Sequence, residues 1–82
     1  MNLILIPVYN DWKSLNKLLL QINSVLNNKS PKKILIVDDF SSMKMKIIKK
    51  KFNKFKSVEV LRLSKNLGSQ KAIAFALNYL RS

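Results

Sequence analysis

Asp38 and Asp39 stand together at the end of the apolar run Ile34-Leu35-Ile36-Val37 and are followed by Phe40, Ser41 and Ser42. They are half of the acidic residues in the chain, which otherwise has only Asp11 and Glu59. In an 82-residue chain of formal net charge +12, carboxylates are scarce, and a pair at one point needs a reason. A carboxylate at a strand end can accept hydrogen bonds from ribose hydroxyls or from the N–H of a base. Tyr9 can pack against such a base. The Gly68–Ser69 helix start, with Lys71 nearby, offers free N–H groups and a positive charge to phosphate. Each residue also has a plainer role. Asp38 or Asp39 can cap a following helix, Tyr9 can be a half-buried aromatic, and Lys71 can be one more surface lysine. Gly68 can supply a turn with positive φ, and Asn66 can turn the loop into the next helix.

Composition removes several chemistries. There is no cysteine, so disulfides and thiolate metal sites are excluded, and no histidine, the usual general base near neutral pH. No apolar run approaches the roughly 20 residues that span a bilayer. The start, with Pro7 and no basic leader, does not read as a signal peptide, so the expected compartment is the cytoplasm. Lysine supplies 14 of the 16 cationic residues. That charge suits a phosphate-binding face or a solvated lysine coat. Arginine, which forks onto phosphate and guanine, is nearly absent, and this speaks against nucleic acid.

These groups must be positioned by alternating strands and helices. Asn2 to Val8 reads as a first strand with Pro7 near its end. Asp11 can cap a helix from Trp12 to Asn28, where Leu15, Leu18, Leu19, Ile22, Val25 and Leu26 fall on one face. Pro31 ends it. Ile34 to Val37 is a second strand, apolar without alternation, as in a parallel sheet buried on both faces. Ser41 or Ser42 can cap a second helix whose apolar line is Met45, Ile48, Phe52 and Phe55. Ser57 to Leu63 alternates and reads as a third strand, at a sheet edge because of Glu59 and Arg62. A third helix runs from about Ser69 to Leu80, with Ala72, Ala74 and Ala76 suited to close packing and Ile73, Leu77 and Leu80 as an apolar line. The expected fold is a single three-layer α/β unit, βαβαβα, with a parallel sheet of order 3-2-1. Its strand carboxyl ends then gather Pro7, Tyr9, Asn10, Asp38, Asp39, Asn66, Gly68 and Lys71 at one edge, where open α/β sheets bind ligands. The glycine-rich dinucleotide fingerprint after the first strand and the phosphate-cradling P-loop are both missing.

Three segments carry a family resemblance. Ile6-Pro7-Val8-Tyr9-Asn10 is similar to the opening of family 2 glycosyltransferases of the GT-A fold. Val37-Asp38-Asp39-Phe40-Ser41 resembles their V-D-D-G-S segment. Leu63-Ser64-Lys65-Asn66-Leu67-Gly68, followed by Gln70-Lys71-Ala72, resembles their N-x-G segment and the helix after it. The wording of the third segment resembles the polyprenol-phosphate sugar transferase branch. The resemblance implies a site for the nucleotide of a UDP- or GDP-sugar donor, with polyprenol phosphate as a candidate acceptor. It implies that Pro7 and Tyr9 flank the base, that Asp39 hydrogen-bonds it, that Asp38 supports the same loop and that Lys71 lies toward the donor. It also implies a divalent metal, magnesium or manganese, held by a D-x-D motif. The motif and the family's catalytic base are expected beyond Ser82, so no catalytic residue and no metal ligand are assigned in this chain, which reads as an N-terminal, nucleotide-binding portion. A membrane anchor elsewhere would place it at the inner membrane face. Phe40, Met43 and Ala76 depart from the family's usual glycine, aspartate and glycine.

Two other readings compete. Leu35-Ile36-Val37-Asp38-Asp39-Phe40-Ser41-Ser42-Met43 resembles the first strand and acidic pocket of response-regulator receivers, but the only acid after Asp39 is Glu59, which leaves no phosphoacceptor aspartate. A basic nucleic-acid-binding module would use the lysines between Lys44 and Lys56.

Overall fold

The computed structural model describes residues 3–25, 32–46 and 54–81. Within them the order is β1 (Leu3–Val8), α1 (Trp12–Val25), β2 (Lys32–Asp38), β3 (Phe55–Arg62) and α2 (Ser69–Arg81). The strands form one parallel sheet of order β1-β2-β3 with β2 at its centre. That is the expected 3-2-1 arrangement. The helix expected between the second and third strands falls mostly on residues 47–53, outside those described, and residues 41–46 form neither helix nor strand.

Phe55 is a correction. It was expected on the apolar line of that helix and instead opens β3. Phe55 stands opposite Lys32 and Ser57 opposite Lys33, so β3 advances two residues while β2 advances one. This bulge inserts Lys56 and shifts the side-chain parity. Phe55 thereby joins Val58 and Val60 against the same cluster.

Each face of the sheet has its own core. On one, Ile6, Val8, Ile34 and Ile36 pack against Trp12, Leu15 and Leu19 of α1. On the other, Val37 and Leu63 pack with Ala72 and Ala76 of α2, flanked by Leu5, Leu61 and Leu67. Coverage on both faces explains why Ile34 to Val37 shows no polar alternation, all four being buried. The expected apolar line on α2 is only partly used. Ala72 and Ala76 are fully buried, while Leu77 and Leu80 are 48% and 43% exposed. The alanines, four residues apart, let the helix backbone sit close to the sheet, and the leucines lie outside that contact.

α1 begins at a capped end. Asp11 Oδ1 accepts from Ser14 N at 3.1 Å, and Leu15 N donates to Asp11 O at 3.2 Å. The Asp11 carboxyl lies below its usual 3.8 because the Ser14 hydroxyl and then the Ser14 N–H stabilise its charge, with Lys13 adding to this.

Among the described residues, β1 lies at an edge of the sheet. Val8 O accepts from Asp39 N at 2.9 Å, so the backbone groups of Val8, Ile6 and Ile4 face β2. By alternation, the N–H that Pro7 lacks would have faced away from β2, so proline costs no bond in the β1–β2 ladder.

Two expectations follow. Ala76→Leu should destabilise the fold by about 1–3 kcal/mol in urea denaturation, since α2 would have to lift off the sheet; an unchanged midpoint would show that α2 is not seated through this residue. Asp11→Ala should lower the thermal midpoint at neutral pH. Because the folded carboxyl titrates below 3.8, its contribution is present above that pH and lost as pH falls through the folded value. The melting curves of wild type and variant should therefore converge in acid.

Candidate functional site

Asp38 and Asp39 are consecutive residues at a strand end, so their side chains leave toward opposite faces. Both are buried, at 3% exposure each. Asp38 faces β3 and its own loop. Its Oδ2 accepts from Arg62 Nη1 at 3.1 Å, and its Oδ1 accepts from Ser41 N at 2.9 Å. Arg62 is the residue opposite Asp38 in the sheet. Asp39 faces the start of α2. Its Oδ1 accepts from Leu67 N at 2.7 Å, and its Oδ2 accepts from Gly68 N at 2.8 Å. Asn66 Nδ2 donates to Asp39 O at 3.1 Å. Neither aspartate caps a helix over 41–46, the plainer role open to them, because no helix forms there.

The loop after β1 is tied to the loop after β2. Asn10 N donates to Ser41 Oγ at 2.8 Å. Asn10 Oδ1 accepts from Met43 N at 2.9 Å and from Ser42 Oγ at 3.3 Å. Trp12 Nε1 donates to Met43 O at 3.2 Å. Ser41, expected as a possible helix cap, is instead a buried cross-link between these loops. Asn10 has φ 64 and Phe40 has φ 63, both left-handed. Asparagine tolerates that region, whereas a bulky residue is an outlier there. The position where the family resemblance expects glycine is therefore one whose backbone favours glycine, although phenylalanine occupies it.

Gly68, at φ 86, ends the third loop and opens α2. The first intrahelical bond runs from Ala72 N to Gly68 O at 2.8 Å. Ser69, Gln70 and Lys71 thus form a first turn whose N–H groups precede the helical ladder. With Leu67 and Gly68 they line an open cleft of about 470 Å³. Pro7 and Tyr9 line a second cleft of about 200 Å³ with Asp11, Ser14 and Leu18. Tyr9 is 52% exposed.

The structure thus brings Asn10, Asp38, Asp39, Asn66 and Gly68 into one hydrogen-bonded knot. Tyr9 and Pro7 stand on its β1 side, and Lys71 stands exposed on the first turn of α2. Arg62 was read in the sequence only as a sign of an edge strand. Its part in the site depends on the register of β2 and β3, which sets it opposite Asp38 and which the sequence alone does not give.

α1 and α2 leave this edge toward opposite faces, and α2 crosses back over β1 and β2. Open α/β sheets take ligands outside the carboxyl ends of their strands, which makes this edge the candidate site. That defines the class. The family follows from comparison: a model of glycosyl transferase family 2 matches residues 3–82, and the chain belongs to that family. No curated protein and no solved structure matches it.

The divalent metal implied by the resemblance does not fit the described residues. Among them, no three acidic, histidine or cysteine side chains converge. Asp38 is matched to Arg62 and Ser41, and Asp39 to two backbone N–H groups.

Asp39→Ala removes both acceptors for Leu67 N and Gly68 N. It should cost about 2 kcal/mol in chemical denaturation, near the lower end for charge-assisted bonds because Gly68 is exposed to water. Asp39→Asn, which keeps one carbonyl oxygen, should cost less. Equal stability of all three proteins would show that this carboxylate does not hold the loop.

Proposed function

We propose that this edge binds the nucleotide of a nucleotide-sugar donor, of the UDP- or GDP-sugar class, for glycosyl transfer to an acceptor. The observation that carries the reading is the gathering of three carboxyl-end loops around Asp39 at the point where α1 and α2 diverge. The resemblance gives Asp39 a hydrogen bond to the base; buried and accepting from Leu67 and Gly68, its carboxylate supports the reading by fixing the loop against which the base would lie. Tyr9, half-exposed beside Pro7, offers a face for the base. The first turn of α2 and Lys71 suit the diphosphate. Asn10, Asp38, Asn66 and Gly68 act by fixing loop shape.

The metal, magnesium or manganese, belongs to this reading with ligands outside the described residues, and we assign it no step. The wording from Leu63 to Gly68 favours polyprenol phosphate as the acceptor class. No described helix is long and apolar enough to cross a membrane; a place at the inner membrane face would call for an anchor outside the described residues.

Calorimetric titration with UDP and GDP tests the reading. Tyr9→Ala and Lys71→Ala alter exposed residues and should leave the fold intact. Each should weaken binding, Tyr9→Ala by about tenfold if a base stacks there. Binding indifferent to both variants would reject the assignment. Affinity for DNA or RNA that falls steeply with salt, without nucleotide binding, would favour the nucleic-acid module instead.

A further inference from the structure

Phe40 is held where local backbone energetics oppose it. Its φ of 63 places a bulky side chain in the left-handed region. Such strain persists only where the surroundings impose it, and it concentrates at functional positions. Here the surroundings are explicit. Asp39 N is fixed to Val8 O on one side, and Ser41 N is fixed to Asp38 Oδ1 on the other. Core packing does not account for the residue type, because Phe40 is 46% exposed.

The ring is braced nonetheless. The Arg62 guanidinium carbon lies 5.2 Å from the ring centroid, within the range of a cation–π contact. Arg62 is itself held by Asp38 Oδ2 and Ser41 O, both at 3.1 Å. A flexible surface phenylalanine would need no such support. This one is an oriented aromatic surface at the carboxyl ends of β2 and β3, on the loop cross-linked to the one that carries Tyr9.

We propose that Phe40, braced by Arg62, is a specificity-determining residue whose ring stacks on the nucleobase of the donor. The proposal rests on the nucleotide reading above and adds to it. The site would take nucleoside diphosphates in preference to pyrophosphate, because only they carry a base for the ring to cover. Stacking suits every base, so the ring would raise affinity for UDP and GDP alike.

The test compares Phe40→Leu with Phe40→Tyr, using UDP, GDP and pyrophosphate as calorimetric probes and thermal denaturation as the control for folding. Leucine keeps the apolar bulk and the strained backbone but has no ring, while tyrosine keeps the ring. Phe40→Leu should weaken both nucleotides by about tenfold or more, in line with the loss of one stacked base. It should leave pyrophosphate binding and the thermal midpoint unchanged, and Phe40→Tyr should bind nucleotides as wild type does. Wild-type nucleotide affinity in Phe40→Leu would overturn the proposal while leaving the nucleotide site standing. Equal losses for nucleotide and pyrophosphate would also overturn it, because they would mark a change in loop shape. Failure of the wild-type protein to bind either nucleotide would reject this proposal together with the nucleotide reading.

Discussion

The Asp39 carboxylate is almost fully buried, and a buried charge must be matched inside the protein. It is matched by two backbone N–H groups at the entrance to α2, where the helix dipole also favours negative charge. The same residue donates its own N–H to β1 and receives the Asn66 side chain on its carbonyl. One residue therefore fixes the end of β1, the end of β2 and the start of α2 relative to one another. Because its partners are backbone groups, it constrains loop path and not merely side-chain position.

Asp38 completes this arrangement through strand alternation. Adjacent residues of a strand face opposite layers, so a pair of aspartates can serve both sides of the sheet where a single one cannot. Asp38 binds the last residue of β3 and the turn at Ser41, on the side of the sheet that α1 covers. Asp39 binds the α2 side. The turn from Asp38 to Ser41 closes with Phe40 in the left-handed conformation, and Asn10, in the loop after β1 that is tied to it, takes the same conformation. Strain at Phe40 is thus a consequence of satisfying two buried carboxylates within four residues.

Much of this was legible in the residues. The 3.6-residue spacing of Leu15, Leu19 and Ile22 marked α1, and Asp11 marked its start. The unalternating run from Ile34 to Val37 marked a central parallel strand. The gathering of strand ends followed from topology. What was not legible depended on long-range geometry. Phe55 sits among lysines at spacings that fit a helix, and only a bulge against Lys32 and Lys33 reveals it as strand. Ala72 and Ala76 were legible as a close-packing surface, but Ala74, read with them, is exposed, as are Leu77 and Leu80 of the expected apolar line, because only residues four apart share the side of α2 that meets the sheet. Arg62 could be placed opposite Asp38 only once the register was known.

The distribution of charge bears on how a ligand would be held at this edge. Three of the four acids, Asp11, Asp38 and Asp39, lie at the carboxyl edge, while the chain as a whole carries +12. Exposed lysines act through water, where a unit pair at 4 Å gains only about 1 kcal/mol and salt screens anything beyond about 10 Å. The general positive charge can therefore speed the arrival of an anion but cannot orient it. At the helix start, two N–H groups that might have met phosphate already serve Asp39. On the proposed reading, orientation comes from short-range contacts that do not depend on net charge: the remaining N–H groups of the first turn of α2, and the aromatic surfaces of Tyr9 and Phe40. On the proposed reading, the base fixes the register of the donor, and the phosphates follow it into place beside Lys71.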